Sequence, residues 1–278
     1  MAPESGGAVA TGIILWFMGP ARQPLVKGVG PMGPQIVSKA VMLIWTNLGD
    51  AARATALPLL LLVLLPMFGV AIDENGESLR LPSPPLLLLL LAIGVALFAW
   101  GAVAWHRFVL LEERPTLVPR PDGRAVRGYV WAMLRVGLIG VVIALSVGGA
   151  LLLLGTVVQS AVGGSGSWVI GLAGFGLGIL LSYAVLRFSL VLPAAALGRP
   201  MSLGESWRAT QEARDTVLVT ALLLALLQFV LSLVGQALPL AGLPGVLLSL
   251  IAGWASLMVG LSVLTALYGV LVEGRPVD

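Results

Sequence analysis

Two arginines and two tryptophans in this sequence have the residue types and positions of a site for lipid phosphate. Arg107 and Arg187 each stand at the end of a long apolar segment, and apolar residues follow each before the chain becomes polar. An arginine so placed can bind the phosphate of a lipid, or it can extend to the membrane surface without a ligand. Trp131 and Trp207 lie on the segments that follow, and tryptophan is also enriched at membrane interfaces as a simple anchor. The candidate lipid-binding residues are therefore Arg107, Arg187, Trp131 and Trp207.

Few other residues in the sequence could carry chemistry. There is no cysteine, which excludes disulfides, thiolate metal sites and cysteine nucleophiles. The single histidine, His106, has no second imidazole for a metal pair, and its place beside Arg107 indicates an interfacial residue. A phosphate-binding loop of the Gly-x-x-x-x-Gly-Lys-Ser/Thr type does not occur. We expect no catalytic residue, no metal and no cofactor, so the chain is predicted not to be an enzyme.

The composition is that of a membrane protein. Hydrophobic residues make up 58% of the 278 residues and charged residues 10%, whereas soluble domains have about 25% charged residues. The mean hydropathy is +1.02. The net charge of +3 comes without a basic run or an aromatic array beside one, so we expect membrane lipids rather than nucleic acid as partners. A second membrane protein or a complex is the other partner considered.

Charge-free segments predict six membrane-spanning helices, because about 20 apolar residues are needed to cross the hydrocarbon. Residues 136–186 and 216–272 carry no charge, and each segment is long enough for two crossings and a turn. The fold class is therefore all-α, a polytopic membrane helical bundle. The predicted spans are residues 51–72, 85–107, 136–158, 168–187, 216–235 and 245–270. None has a charged group near its middle, which argues against an ion-coupled pump or an intramembrane protease.

Three tryptophans predict a threefold internal repeat. Trp45, Trp131 and Trp207 recur 86 and 76 residues apart, and each lies on a short segment with a polar face that leads into an apolar block. Each segment is predicted to be an interfacial amphipathic helix, with 124–135 forming a separate helix in the second copy. The expected unit is an interfacial amphipathic helix followed by a membrane hairpin, repeated at residues 32–115, 116–200 and 201–278.

The ends of the hairpins support the same repeat. Residues 107–115 align with 268–276 without a gap, and 187–200 fits when five residues are inserted, so that each copy ends in Arg-Pro. The middle copy leads into Ser202-Leu-Gly-Glu205, a pattern that predicts a capping box at the start of the third interfacial helix.

Two expectations concern the termini. Of the 16 basic residues, 15 fall on the side of the N-terminus, the 107–135 and 187–214 loops and the C-terminus, which predicts that both termini are cytoplasmic. Residues 1–31 are interpreted separately as an uncertain tail, either a misassigned start before Met32 or a genuine, loosely attached anchor. Residues 32–278 are expected to form a single integral membrane domain.

Residues 187–210 resemble a motif of bacterial multi-pass proteins related to the membrane domain of glycerophosphodiester phosphodiesterases. In that family an arginine at the end of a span precedes a Pro-containing apolar segment and a Ser-Trp-Arg helix. Arg187, Pro193, Ser206, Trp207 and Arg208 occupy those positions in this sequence. The close match covers about 25 residues. The resemblance implies an inner-membrane domain, but it does not carry over the phosphodiesterase activity, because the catalytic domain has no counterpart here.

These observations favour a non-enzymatic protein of the bacterial inner membrane that acts as a lipid-interacting or partner-binding accessory. The alternative is a transporter or channel-like component for a neutral or lipidic molecule. Gln228, an amide midway along the fifth predicted span, distinguishes the two hypotheses. It could form a hydrogen bond between helices, or it could contact a substrate in a polar cavity.

Overall fold

A computed structural model describes residues 32–65, 71–72, 79–80, 82–116, 118, 120, 122–162, 167–237 and 243–276. The tail predicted for residues 1–31 and the acidic loop at residues 73–77 lie outside these described residues.

Within the described residues the regular secondary structure is helical apart from one short ladder. The ladder is antiparallel and pairs Ala71 with Arg80, joining strands β1, Ala71–Ile72, and β2, Leu79–Arg80. The helices are α1 (Gly33–Thr46), α2 (Leu48–Leu64), α3 (Pro84–Leu111), α4 (Gly123–Val162), α5 (Ser167–Phe188), α6 (Val191–Ala196), α7 (Leu203–Gln211), α8 (Arg214–Ala237) and α9 (Leu243–Leu271).

Five of the described segments are long and apolar enough to cross a membrane. They are Pro84–Leu111, Gly123–Val158, Gly171–Ala196, Arg214–Leu231 and Pro244–Leu271. Counting α1 and α2 together as one broken span gives a sixth. By length and composition this is an integral membrane protein, and the all-α class is confirmed. The spans predicted at 85–107, 168–187, 216–235 and 245–270 lie within α3, α5, α8 and α9.

The first predicted span is wrong at its end. Residues 51–72 were expected to form one helix, but α2 ends at Leu64, and Ile72 belongs to β1. Pro58 lies inside α2, whereas Pro66 lies outside the described residues. The apolar composition of this segment does not distinguish a helix that continues from one that stops, because Leu and Val are compatible with either outcome.

The predicted break between an interfacial helix at 124–135 and a span at 136–158 is also wrong. The two form one helix, α4, of 40 residues. At a rise of about 1.5 Å per residue such a helix is about 60 Å long. No proline or capping pattern occurs near Arg135, and the glycine at 137 costs a helix only about 1 kcal/mol. A change from polar to apolar composition alone does not end a helix.

The described residues form two compact units. The first takes its residues from Met1–Thr46, Met133–Val191 and Met201–Asp278. In this unit α1 packs against α8 and α9, and α5 packs against α8 and α7. Small residues permit the close approach of α1, since a Cβ atom at Gly33 would lie 2.7 Å from Cγ1 of Val219. Residues of α9 such as Met258, Val263 and Leu267 are buried in this unit.

The second unit consists of Asn47–Ala132 and Leu192–Pro200. Here α2 packs along α3, where Gly101 of α3 faces Pro58 of α2. Trp105 is fully buried, with its ring centroid 5.5 Å from that of Phe108. These two aromatic residues form part of the core of the second unit.

Helix α7 begins with the capping box predicted from Ser202 and Glu205. The Ser202 hydroxyl accepts a hydrogen bond from the Glu205 backbone N–H at 3.2 Å, and a Glu205 carboxylate oxygen accepts one from the Ser202 backbone N–H at 2.7 Å. The bond from the Ser202 backbone lowers the pKa of the Glu205 carboxyl. This prediction is confirmed, and it sets the residue at which α7 starts.

The ends of the second and third hairpins share a backbone feature. Gly198 and Gly274 have φ angles of 69° and 68°, and each is followed by Arg-Pro. At the corresponding end of α3, Glu112 has a φ of 59°. A left-handed residue is the usual way to terminate a helix. The feature accords with the predicted repeat, whose threefold arrangement stays a prediction.

Candidate functional site

Arg187 lies at the end of α5 and donates hydrogen bonds to three residues of its own unit. Its side chain is almost fully buried, with 6% exposure. Nε donates to Oγ1 of Thr210 at 3.1 Å, and one terminal nitrogen donates to the Trp207 carbonyl at 3.0 Å. The other terminal nitrogen donates to the Tyr183 hydroxyl at 3.3 Å. The guanidinium group therefore connects α5 to α7.

Aromatic rings cover the same guanidinium group. Its central carbon lies 3.5 Å from the centroid of the Trp207 ring, close enough for a strong cation–π contact. The Trp207 ring also stacks on Phe188, with 5.2 Å between the centroids. Trp207 is 39% exposed, so one part of its ring covers Arg187 while another part faces outward.

Buried hydroxyl groups attach α7 to the end of α5. The Ser206 hydroxyl donates to the backbone carbonyl of Arg187 at 2.7 Å, and Ser206 is fully buried. The Thr210 hydroxyl accepts from Arg187 and lies within donating distance of the Ser206 and Trp207 carbonyls, at 3.0 and 2.9 Å. We call Tyr183, Arg187, Ser206, Trp207 and Thr210 the Arg187 cluster.

In the Arg187 cluster the charged guanidinium group of Arg187 is surrounded by neutral groups. Its partners are two hydroxyls, a carbonyl and an aromatic face, and no carboxylate of the described residues forms an ion pair with Arg187. Buried charges are normally paired, because desolvation of an isolated ion is costly. An anion bound near Trp207 would supply the missing compensation.

Arg107, at the end of α3, has a different environment. It donates two hydrogen bonds to the carboxylate of Glu113, at 2.7 and 2.6 Å, in the bidentate geometry that is strong for this pair. A further bond runs to the Ala196 carbonyl at 3.2 Å. The left-handed residue Glu112 ends α3 one position before Glu113. The charge of Arg107 is therefore compensated within the chain.

The two candidate tryptophans also differ. Trp207 packs on its arginine, as described above, whereas Trp131 lies on α4 with 62% of its surface exposed. Both positions are compatible with contact to lipid. Of the four residues predicted to bind lipid, the structure brings Arg187 and Trp207 into direct contact.

His106 is not the interfacial residue that the sequence indicated. It is fully buried in the second unit, where Nε2 lies 3.2 Å from the hydroxyl of Tyr129 and the two ring centroids are 5.6 Å apart. Apart from Arg107, the residues of α3 within two turns of His106 are apolar, and this part of the helix is largely buried. The pair connects α3 to α4 through a hydrogen bond in the core.

Gln228 is exposed on α8, and its amide nitrogen is 3.4 Å from the Ser256 carbonyl of α9. This is the contact between helices that one of the two interpretations anticipated. In the part of the chain that the structure describes, no group of three or more potential metal ligands occurs.

Sequence reasoning missed Tyr183 and Thr210. Tyr183 stands four residues before Arg187, on the same face of a helix, so the spacing could have indicated it. Thr210 has no such signal, because its contact depends on how α7 folds back onto α5.

Comparisons with known proteins assign no family to this chain. No family model, no curated protein and no solved structure matches it. The function must therefore be argued from the residues themselves.

Proposed function

We propose that this chain is a non-enzymatic integral protein of the bacterial inner membrane, with both termini cytoplasmic, that acts as a lipid-interacting accessory. The observation that carries the proposal is the Arg187 cluster. The side chain of Arg187 is buried there, and all of its partners among the described residues are neutral. The ligand it favours is the phosphate of an anionic phospholipid.

The position of the cluster in its helix supports a lipid ligand. Arg187 stands one residue before the end of α5, within the last ten residues of the candidate span Gly171–Ala196. An arginine near the end of a span can extend its guanidinium group toward the lipid phosphates. Trp207 exposes part of a ring there, as tryptophans of the membrane interface do. Three of the five guanidinium N–H groups are used by described residues, which leaves two donors for a phosphate oxygen.

The resemblance to the membrane domain of glycerophosphodiester phosphodiesterases agrees with this proposal. It rests on Arg187, Pro193, Ser206, Trp207 and Arg208, and two of these, Ser206 and Trp207, contact Arg187 directly. The transport alternative receives less support, because Gln228 is exposed and its nearest polar partner is the backbone of α9.

Lipid retention by single variants tests the proposal. Purified full-length protein is analysed by native mass spectrometry for co-purified anionic phospholipid, as wild type and as Arg187→Gln. We expect R187Q to lose most of the bound anionic lipid, because the buried charge that would attract it is gone. Arg208→Gln is the matched control, since Arg208 is an exposed arginine on α7 close by in sequence.

Two further variants test whether the loss of lipid depends on the charge of Arg187 in particular. Arg187→Lys keeps the charge, so it should retain more anionic lipid than R187Q even if the cluster is loosened. Arg107→Gln should retain nearly all of it, because Glu113 already compensates Arg107. Equal lipid content in wild type and R187Q, or equal losses in R187Q and R208Q, would refute the proposal.

A further inference from the structure

An open cavity lies at the start of α4, in the second unit. Its volume is about 700 Å³, and its lining includes Trp100, Arg120, Asp122, Arg124, Val126 and Arg127. Three of these six residues are arginines. We call it the α4 cavity.

The arginines of the α4 cavity have no partner for their side chains among the residues that the structure describes. Elsewhere in the chain, exposed or partly exposed arginines form ion pairs, such as Arg53 with Asp50 and Arg107 with Glu113. The one carboxylate in the lining, Asp122, accepts a hydrogen bond from the Arg124 backbone N–H at 3.0 Å. Three guanidinium groups and one carboxylate leave the cavity with a net positive charge.

The helix itself adds to this field. The dipole of α4 gives the start of the helix a partial positive charge, part of which the Asp122 carboxylate already meets through its bond from the Arg124 N–H. Arg124 and Arg127 are three residues apart and therefore lie on neighbouring positions of one helix surface. The guanidinium groups are able to bind phosphate oxygens in pairs.

The continuity of α4 relates the cavity to the membrane. Because α4 does not break near Arg135, its basic first turns are fixed to an apolar helix, of which an 18-residue window is only 6% buried within the protein. Arg127 precedes Val136 by nine residues, a rise of about 14 Å along the helix axis. Trp100 and Val126 make part of the lining of the cavity apolar.

We propose that the α4 cavity binds the phosphate-bearing headgroup of an anionic phospholipid. The arginines would bind the phosphate oxygens, and Trp100 and Val126 would contact the glycerol and the first acyl carbons. A lipid is favoured over free phosphate because the cavity combines this apolar part of its lining with a helix that continues into lipid. The site goes beyond the proposed function, since it is in the other unit and uses no residue of the Arg187 cluster.

Native mass spectrometry of the full chain, titrated with phosphatidylglycerol or phosphatidylcholine, tests this site. The double variant Arg124→Gln/Arg127→Gln is compared with Arg114→Gln/Arg208→Gln, which also removes two exposed arginines, neither of which lines the α4 cavity. We expect the first variant to bind the tightest phosphatidylglycerol about tenfold more weakly than wild type. The second should bind it as wild type does, and phosphatidylcholine binding should change in neither.

Arg124→Lys/Arg127→Lys guards against a folding defect, because it keeps both charges and should preserve the preference for phosphatidylglycerol. Millimolar inorganic phosphate is added to separate the two sources of phosphate, and it should not displace the lipid. Equal weakening in the two Gln variants would show a general effect of charge and overturn the proposal. It would also be overturned by unchanged binding in R124Q/R127Q or by displacement with inorganic phosphate. Because the Arg187 cluster is tested by a separate variant, R187Q, the proposal for one lipid site can be refuted while the proposal for the other stands.

Discussion

Arg107 and Arg187 occupy matching positions in the sequence, yet their charges are compensated differently. Six residues after Arg107 stands Glu113, which binds its guanidinium group in bidentate fashion. Six residues after Arg187 stands Pro193, in the segment that the predicted repeat treats as an insertion, and it has no carboxylate to offer. Where Arg107 has an internal ion pair, Arg187 instead has the hydroxyls of Tyr183 and Thr210 and the ring of Trp207. This difference is why we assign the lipid ligand to Arg187.

Removal of one hydroxyl from the Arg187 cluster should destabilise the protein. Thr210→Val keeps the shape of the side chain but leaves the Arg187 Nε–H without its acceptor in a buried place. An unsatisfied buried donor costs about 1–3 kcal/mol. We expect a lower apparent unfolding temperature for T210V, measured by tryptophan fluorescence in detergent.

Thr156→Val is the matched control for T210V. The Thr156 hydroxyl bonds to a carbonyl of its own helix and is exposed on α4. Its loss should leave the unfolding temperature nearly unchanged. If T210V and T156V unfold at the same temperature, Thr210 does not support Arg187 in solution.

The site could be predicted in part from the sequence. Arg187 and Trp207 were identifiable, because a span end followed by a Ser-Trp-Arg segment places a cation and an aromatic ring near the interface. The burial of Arg187 was not identifiable, since it depends on Ser206 and Thr210 facing α5 after the chain reverses. His106 was misplaced for a related reason, because its depth depends on the packing of α3 and α4.

The membrane-spanning helices whose ends are marked in the sequence could be predicted, whereas the boundaries of the other helices could not. Helices α3, α5, α8 and α9 are bounded in the sequence by charges, prolines or glycine and serine residues, and each contains its predicted span. The boundary expected at Arg135 is absent, because a change in polarity alone gives the backbone no reason to leave the helical conformation. The end of α2 was missed because apolar residues continue past Leu64 as far as Ile72. Composition locates membrane segments better than it locates their ends.

Contact between α1 and α8 should be sensitive to a single methyl group. A Cβ at Gly33 would lie 2.7 and 2.8 Å from two atoms of Val219 and 3.0 Å from the Thr220 backbone nitrogen. Overpacking of this kind costs about 1–3 kcal/mol. We expect Gly33→Ala to lower the unfolding temperature in detergent.

Gly49→Ala serves as the comparison, since nothing lies within 4 Å of a Cβ at that position of α2. Alanine favours a helix over glycine by about 1 kcal/mol, so G49A should be neutral or slightly stabilising. A G33A protein as stable as G49A would contradict the close packing of α1 on α8.

For the whole molecule, the proposed orientation can be measured directly. The chain has no cysteine, so a single introduced thiol reports its own side of the membrane. In intact bacterial cells we expect Asn75→Cys to react with a membrane-impermeant maleimide and Gly123→Cys to react after lysis alone, because basic residues stay on the cytoplasmic side. Asn75 lies outside the described residues, so its expected side rests on the sequence. Labelling in the reverse pattern would overturn the orientation.

The long, sparsely covered α4 makes the surrounding solvent a structural component of this protein. Over its most apolar window α4 has 6% of its residues buried, so acyl chains or detergent tails supply nearly all of its packing there. The free energy of such a helix depends on how well the thickness of the host matches its apolar length. A melting temperature of this protein is consequently a joint property of chain and host. Melting temperatures measured in micelles of detergents with different tail lengths are therefore not values of the same quantity.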